Sequence, residues 1–307
     1  MTCCFISAII CAFLTGLGIL GNMLIFVIYM CNLGRDTKNK LIQLILIHLI
    51  FTNILMLVSK GVPKTIAAFG MRNFLDDLGC KIICYLERVA RGLSICTSAL
   101  LTVVQAITIS PRHPGWRKPK PRSAWCILLL LLSFWGLNSL IAMNLLYSIS
   151  NISMNSSQIN HSESYCYLLP QSKKVKWIFL TCMVLRDVGF QGIMGGASGY
   201  MVCVLHKHHQ QVLHLQNSKF LYTAPPEIKA AQSVLLLMLG FLLFYWIDCL
   251  LSLYINSSLS TQSTVTNARA FLTVGYAVLS PFVLIHREGH LGHCWSTYIT
   301  IESILSE

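Results

Sequence analysis

The sequence predicts an all-α membrane protein, a single bundle of seven transmembrane helices with the N-terminus outside the cell and the C-terminus in the cytoplasm. Two observations support this prediction. Hydrophobic residues make up 55% of the 307 residues and charged residues only 11%, which is too little charge to cover the surface of a soluble protein of this length. Apolar stretches long enough to cross a bilayer also recur along the whole chain, separated by polar segments.

The predicted spans are mostly apolar stretches close to or above the length of about 20 residues that a transmembrane helix needs. They cover residues 5–31, 41–59, 80–109, 124–147, 175–205, 229–255 and 268–285. We expect the second span to end at Ser59, because Lys60 and Pro63 follow and proline does not continue a helix comfortably. The residues up to Leu78 are then predicted to form an outer loop.

The orientation follows from the loops. Twelve Lys and Arg residues lie on the side assigned to the cytoplasm and eight on the side assigned to the outside, the bias that the positive-inside rule requires. The loop between the fourth and fifth spans carries three N-x-S glycosylation sequons, at Asn151, Asn155 and Asn160. Three sequons within ten residues independently place this loop outside the cell.

The net charge of +12 does not indicate nucleic-acid binding, because membrane proteins collect basic residues in cytoplasmic loops and no long basic run interleaved with aromatic residues is present. The second cytoplasmic loop is the most basic segment. Its cationic residues are Arg112, Arg117, Lys118, Lys120 and Arg122. Such a segment can face a cytoplasmic protein partner or anionic lipid.

Ionisable residues inside the predicted spans mark a candidate site. They are Glu87, Arg88, Arg91, Arg186, Asp187 and Asp248. Charges at membrane depth are costly and usually face one another or a wet cavity. Glu87 and Arg91 are four residues apart and can pair on one helix face. At 1.5 Å per residue, the charges lie roughly 10–17 Å below the outer surface and can meet at one level.

We therefore predict an outward-facing ligand cavity about a third of the way down the bundle. Its predicted lining residues are Glu87, Arg91, Arg186, Asp187 and Asp248, with Tyr85 and Tyr276 as aromatic neighbours. The alternative is an ion-pair network that only holds the fold together, since three positive and three negative groups leave no net buried charge.

Cysteines at the outer face indicate a disulfide. Cys80 opens the third span and Cys166 lies in the sequon-bearing loop, both on the side of the membrane where disulfides persist. Cys3, Cys4 and Cys84 are rival partners near the same face.

No catalytic, cofactor-binding or metal site is predicted. The run GIMGGASG from Gly192 to Gly199 has the G-x-x-x-G spacing that lets helices pack closely. An intramembrane serine protease would need a base near Ser198, and the sixth and seventh spans contain no histidine. The histidine cluster from His206 to His214 contains no cysteine or carboxylate that would complete the ligand set of a defined zinc site.

Several stretches together resemble the vomeronasal type-1 receptors, a family of pheromone receptors in the seven-helix G-protein-coupled class. The most specific stretches are RVARGLSICTS followed by QAITISP, between Arg88 and Pro111. Others are KGVPKTIAAFG from Lys60, FLDDLGCK from Phe74, SGYMVCVLHKHHQQV from Ser198, PEIKA from Pro226 and SPFVLI from Ser280. The resemblance covers nearly the whole chain.

This resemblance implies a plasma-membrane receptor of vomeronasal sensory neurons that binds a small pheromone and activates an inhibitory-type heterotrimeric G protein. It also implies a Cys80–Cys166 disulfide, glycans on the second outer loop and a G-protein-facing second cytoplasmic loop. Asp-Arg-Tyr, Cys-Trp-x-Pro and Asn-Pro-x-x-Tyr motifs of rhodopsin-like receptors are absent, as the family pattern implies. The run APPEIKAAQ, residues 224–232, departs from the family's Pro-Glu-x-Arg-Ala-Thr pattern.

Three other function classes are alternatives. A bitter-taste receptor is the nearest of them, and the RVARGLS stretch argues against it. A multi-pass transporter is expected to show inverted repeats or paired broken helices, and the chain shows no such symmetry. An intramembrane protease lacks a base near Ser198, so the sequence favours a receptor over an enzyme.

Overall fold

The structure is a computed structural model, and it is described over the ranges in which the chain is placed. These are residues 2–33, 40–71, 74–110, 124–143, 146, 149–150, 160–163, 166–168, 173–215, 235–236, 239–240, 242–247, 272 and 274–284. Over these ranges it is a bundle of helices with one small sheet. Five of the helices are long and apolar enough to cross a membrane, and a shorter apolar helix covers Val274–Leu284.

The helices are numbered in chain order. They are α1 (Thr2–Asn32), α2 (Lys40–Met56), a π-helical turn (Leu57–Gly61), α3 (Val62–Ala68), α4 (Asp77–Ile109), α5 (Ala124–Ala142), α6 (Lys173–Leu215) and α7 (Val274–Leu284). Five predicted spans therefore correspond to α1, α2–α3, α4, α5 and α6. Parts of the other two, including residues 242–247 of the sixth and α7 of the seventh, are helical as well.

The second span differs from the prediction, because its helix does not stop at Ser59. Residues from Lys40 to Ala68 form one helical rod, in which the Val62 N–H donates to the Leu57 carbonyl as a π-helical bond. A proline ring in an α-helix clashes with the carbonyl four residues earlier. The wider π turn ahead of Pro63 relieves that clash, so the chain stays helical and Lys60 lies inside the bundle.

Two other spans also end elsewhere than predicted. α5 stops at Ala142, short of the predicted end of the fourth span at Tyr147. α6 continues to Leu215 and has 43 residues, roughly 65 Å at 1.5 Å per residue. Because the hydrocarbon core is about 30 Å thick, α6 extends beyond the membrane on at least one side.

α4 is the central helix of the bundle. It contacts α2, α5 and α6, and its buried side chains run from Cys80 at one end to Ala106 at the other. Asp76 caps its N-terminus by accepting a hydrogen bond from the Gly79 N–H at 2.9 Å, a typical N-cap arrangement. The apolar core around it includes Leu46, Ile50 and Leu101, all fully buried.

A small antiparallel sheet lies in the loop between α5 and α6, outside the helical bundle. Its strands are β1 (Ile149–Ser150), β2 (Asn160–Glu163) and β3 (Cys166–Leu168), with β3 in the centre. Cys166 on β3 forms a disulfide with Cys80 of α4, and both residues are buried. The bond therefore joins the loop between α5 and α6 to the first turns of the central helix, as the family resemblance implied.

Candidate functional site

A cavity lies between α2, α4, α7 and the segment 242–247. Its lining residues are Asn53, Met56, Arg91, Ser94, Ile95, Phe244, Tyr245, Leu272, Tyr276 and Ala277. The cavity holds about 50 Å³, whereas pockets for small ligands usually measure about 300–1,000 Å³. Because Ser94 and Ile95 stand at the middle of α4, the cavity lies near the middle of the bundle, deeper than the predicted third of the way.

The cavity wall combines one cation with aromatic rings. The guanidinium carbon of Arg91 lies 5.0 Å from the centre of the Tyr245 ring, within the range of a cation–π interaction. The Tyr245 hydroxyl donates a hydrogen bond to Oδ2 of Asp187 on α6. Tyr245 thus connects α4 with α6 from a position on the cavity wall.

Asp187 is held in place by its neighbour in the chain. Arg186 Nε donates to Asp187 Oδ1 at 2.7 Å, and Arg186 Nη2 lies 2.6 Å from the same oxygen. The third nitrogen, Nη1, donates to Oδ1 of Asn138 on α5 at 2.8 Å. Arg186 is 7% exposed, so its charge is buried together with these partners, as a charge in a low-dielectric interior requires.

Gly92 on α4 makes this arrangement possible. A Cβ atom on Gly92 would lie 1.8 Å from Asn138 Oδ1 and 2.4 Å from Arg186 Nη1, far inside van der Waals contact. The amide nitrogen of Asn138 donates to the Phe134 carbonyl at 2.7 Å and lies 3.7 Å from Cys96 Sγ. Both polar side chains therefore pack directly against the α4 backbone where it lacks a side chain.

A second ion pair lies one helical turn towards the disulfide end of the bundle. Lys60 Nζ donates to Glu87 Oε1 at 2.5 Å, and the two side chains are 10% and 17% exposed. Lys60 follows Met56 by four residues and Glu87 precedes Arg91 by four. Since Met56 and Arg91 both line the cavity, the Lys60–Glu87 pair lies next to its outer end.

The structure brings together most of the predicted ligand residues that it describes. Arg91 and Tyr276 line the cavity, and Arg186 and Asp187 join it through Tyr245. Glu87 lies one turn outward and pairs with Lys60, where the sequence suggested Arg91 as its partner. Asp248 lies outside the described residues.

Tyr85 is the exception, because it packs on another face of α4. It contacts the buried cluster of Val89, Leu93 and Ala142, on the side of α5. Residues 85, 89 and 93 are four apart and so share one helix face. The faces that carry Arg91 and Ser94 point elsewhere, so the structure does not place Tyr85 on the cavity wall.

Several residues singled out from the sequence lie outside the described ranges. These are Asn151, Asn155, Arg112, Arg117, Lys118, Lys120 and Arg122. Asn160 is the first residue of β2. The glycine run of α6 is described, and a Cβ at Gly192 or Gly196 would meet nothing within 4 Å. Close helix packing at these two glycines therefore stays a prediction.

Sequence reasoning missed Lys60, Gly92 and Tyr245. Pro63 led to the prediction of a loop at Lys60. Gly92 follows Arg91 directly, and a glycine beside a buried charge in the middle of a helix is a usable signal for close approach of a neighbouring side chain. Tyr245 precedes Asp248 in the sixth span, and no feature of the sequence distinguishes it from the other aromatic residues nearby.

Polar side chains also join the helices around the cavity. Asn53 Nδ2 donates to Ser280 Oγ at 2.8 Å, which connects α2 with α7. Trp135 Nε1 donates to His48 Nε2 at 3.0 Å, and His48 Nδ1 lies 3.0 Å from Thr97 Oγ1. Interhelical hydrogen bonds of this kind contribute to helix association in lipid, so they fix the frame on which the cavity is built.

The cavity is suited to binding rather than to covalent chemistry. Its wall offers one guanidinium, hydroxyl groups and apolar surface. Ser94 is 7% exposed, and its Oγ has no hydrogen-bond partner among the described residues. A buried hydroxyl without a partner is costly, and a polar group of a bound molecule would satisfy it.

Comparison with known proteins gives one consistent result. A profile of the vomeronasal organ pheromone receptor family matches residues 7–297. The chain is 35% identical over 272 residues to the human vomeronasal type-1 receptor 4, covering 88% of this chain and 90% of that one. It is 30% identical over 272 residues to olfactory receptor class A-like protein 1 of Danio rerio, covering 88% and 85%.

The fold is similar to that of a solved seven-helix protein. The crystal structure of squid rhodopsin matches with a TM-score of 0.68 at 15% identity, covering 92% of this chain and 81% of that one. At this identity the likeness concerns the fold alone. The seven-helix architecture predicted from the sequence is therefore confirmed.

Proposed function

Because this chain belongs to the vomeronasal organ pheromone receptor family, we propose that it is a pheromone receptor that binds a small molecule in the cavity around Arg91 and activates an inhibitory-type G protein. The family and the rhodopsin-like fold support a chemosensory G-protein-coupled receptor. It acts at the plasma membrane of vomeronasal sensory neurons and has a receptor function, without catalysis.

The observation that carries the proposal is the composition of the cavity wall. Arg91 supplies a cation, Ser94 a hydroxyl without a partner among the described residues, and Tyr276 and Phe244 supply aromatic surface. Small-molecule sites are typically apolar with a few convergent polar groups. The ligand class that fits is a small, largely apolar molecule with one polar or anionic group directed at Arg91.

A screen of the expressed receptor tests this function. Cells that carry the receptor and a promiscuous or inhibitory-type Gα are exposed to fractions of conspecific secretions, and calcium or cAMP is recorded. A receptor response to at least one fraction, absent from untransfected cells, is expected. If the response is lost when the inhibitory-type Gα is removed, that Gα is the coupling partner. An unchanged response would reject coupling to an inhibitory-type G protein.

The site is tested by Ser94→Ala. Because the Ser94 hydroxyl has no partner among the described residues, its removal should leave folding and surface level intact, while the response to an active fraction weakens or changes in selectivity. Ser133→Ala is the matched control, since Ser133 is exposed on α5 and its hydroxyl bonds its own helix at the Leu130 carbonyl. An unchanged response of Ser94→Ala would remove Ser94 from the binding site.

The cytoplasmic part of the proposal concerns the second cytoplasmic loop, where basic residues would contact the G protein. Neutralising Arg117, Lys118 and Lys120 together should reduce G-protein activation while the surface level stays constant. A fall in surface level without a change in activation per receptor would instead indicate that the loop binds anionic lipid.

A further inference from the structure

We propose that Tyr245 is the residue that couples occupancy of the cavity to the fifth span, through the hydrogen bond from its hydroxyl to Asp187. The inference rests on the proposed function, because it assumes that the cavity takes a ligand. It adds the structural link by which binding would alter the contact between the fifth and sixth spans.

Tyr245 makes three contacts of different kinds. It lines the cavity, the centre of its ring lies 5.0 Å from the guanidinium carbon of Arg91, and its hydroxyl donates to Asp187 Oδ2. Through the first contact, Tyr245 would touch a molecule bound in the cavity, and through the third it is hydrogen-bonded to α6. A single side chain therefore joins the cavity wall to the fifth span.

The two sides of this bond differ in how firmly they are held. Asp187 is fixed by Arg186, which is fixed in turn by Asn138 against the bare backbone of Gly92. This side extends over α4, α5 and α6 and is built from short charge-assisted hydrogen bonds. Tyr245 and Asp187 are both half-buried, but Asp187 is in addition held by two charge-assisted contacts from Arg186. The tyrosine is therefore the member of the pair that can move.

The size of the cavity makes such movement necessary. A volume of about 50 Å³ is several-fold below that of a usual small-molecule site, so a ligand must displace part of the wall. Tyr276, Ala277 and Ile95 are buried in the packed core. Phe244 and Tyr245, both half-buried, are the large aromatic side chains that can give way.

Displacing the Tyr245 ring would take its hydroxyl away from Asp187. Ligand occupancy and the Tyr245–Asp187 bond then exclude each other, and the bond stabilises the narrow conformation of the cavity. A ligand shifts an equilibrium by its differential affinity for two states. Removing the bond must therefore shift the equilibrium away from the narrow conformation of the cavity, as a bound ligand does. By thermodynamic linkage, the same change must also raise the apparent affinity for the ligand.

Tyr245→Phe tests the coupling, since it keeps the ring, the packing and the contact with Arg91 but removes the donor. The readout is basal G-protein activation per receptor at the surface, measured without any added secretion. A hydrogen bond to a charged group corresponds to about a tenfold to hundredfold change in an equilibrium. We expect the basal signal of Tyr245→Phe to rise by up to this factor, limited by the maximal signal of the receptor. We also expect an active secretion fraction to activate Tyr245→Phe at higher dilution than it activates the wild type.

Two further variants separate coupling from structure. Tyr29→Phe also removes the hydroxyl of a buried tyrosine, but Tyr29 lies on α1 and is not one of the residues that line the cavity, so its basal signal should stay at the wild-type level. Asp187→Asn keeps the size of the acceptor and replaces a charge-assisted bond by a weaker neutral one, but it also removes the counter-charge of the buried Arg186, so its surface level should fall. Its basal signal per receptor at the surface should lie between those of wild type and Tyr245→Phe.

The outcomes are distinguishable. A lower melting temperature of Tyr245→Phe with an unchanged basal signal would show that the bond is only structural and would overturn the inference. The proposed function would not be affected by that result if the wild-type receptor still responds to secretions. An equal rise in Tyr29→Phe would also overturn it. Absence of any signal from wild type and variants with every Gα tested would reject the proposed function and the inference together.

Discussion

Lys60 on the second span and Glu87 on the third form a buried ion pair, with Nζ 2.5 Å from Oε1. This pair changes the charge balance of the bundle. With Lys60 in place, the cations inside the spans include Lys60, Arg88, Arg91 and Arg186. Among the described residues, Glu87 pairs with Lys60 and Asp187 pairs with Arg186, so Lys60 takes the place of Arg91 as the ion-pair partner of Glu87 that the sequence suggested.

Exchanging the two residues tests the pair. Lys60→Glu or Glu87→Lys alone places two like charges together, and removal of a buried partner already costs about 3–5 kcal/mol. Each single variant should lose most of its surface level, measured by labelling intact cells. The double variant should recover it, because the pair is restored with reversed polarity.

A matched control comes from the same helix. Lys81 and Asp77 form an ion pair at 2.6 Å with side chains 30% and 43% exposed. Exposed pairs of this kind contribute about 0.3–0.5 kcal/mol, so Lys81→Ala should reach the surface normally. Failure of the Lys60/Glu87 double variant to recover would show that another partner of these residues matters more than their mutual contact.

Gly92→Ala is expected to destabilise the receptor although alanine favours helices. The new Cβ would lie 1.8 Å from Asn138 Oδ1, so Asn138 must move and its bond with Arg186 is lost. Hydrogen bonds to charged groups contribute about 1.5–3 kcal/mol. The melting temperature of the detergent-solubilised receptor should fall.

Gly136→Ala on α5 is the control for this substitution, because a Cβ there would meet nothing within 4 Å. Its melting temperature should stay equal or rise slightly, since alanine gains up to about 1 kcal/mol over glycine in a helix. A Gly92→Ala receptor as stable as wild type would mean that Asn138 and Arg186 have an alternative arrangement of equal energy.

The sequence predicts the spans and the third helix well because these depend on local composition. A run of apolar residues must be a helix in lipid, where every backbone polar group needs a partner, and the charges on α4 stand out against it. The second span shows the limit of local rules. Judged from local sequence alone, Pro63 should end the helix. The π-helical turn before it contacts α1, α3 and α4 and lets the helix continue to Ala68.

The candidate site is predictable only in part for a similar reason. Arg91 and Asp187 are visible as charges in apolar sequence, whereas their contact through Tyr245 depends on how three helices are rotated against one another. Periodicity fixes which residues share a face of one helix, as it does for Tyr85 and Val89. It does not fix which face meets which neighbour, and so Tyr85 packs towards α5 where the sequence suggested the cavity.

The orientation in the membrane is tested with epitope tags. Loop charge and sequons predict the N-terminus outside and the C-terminus in the cytoplasm. A tag before Met1 should be stained on intact cells, and a tag after Glu307 only after permeabilisation. The reverse pattern would overturn the topology and, with it, the assignment of the basic second loop to the G protein.

The Cys80–Cys166 disulfide is expected to be essential for folding of the outer face. The two residues are 86 positions apart, and closing a loop of that length in the unfolded chain corresponds to about 4–5 kcal/mol in the loop-entropy description. Cys80→Ser and Cys166→Ser should each reduce surface level strongly, and the double variant should be no worse than either. Cys84→Ser is the matched control, since Cys84 lies one turn further along α4, packs beside the bridge and is not part of a disulfide. Normal surface level of Cys80→Ser together with loss in Cys84→Ser would show that Cys84 is the true partner in the bridge.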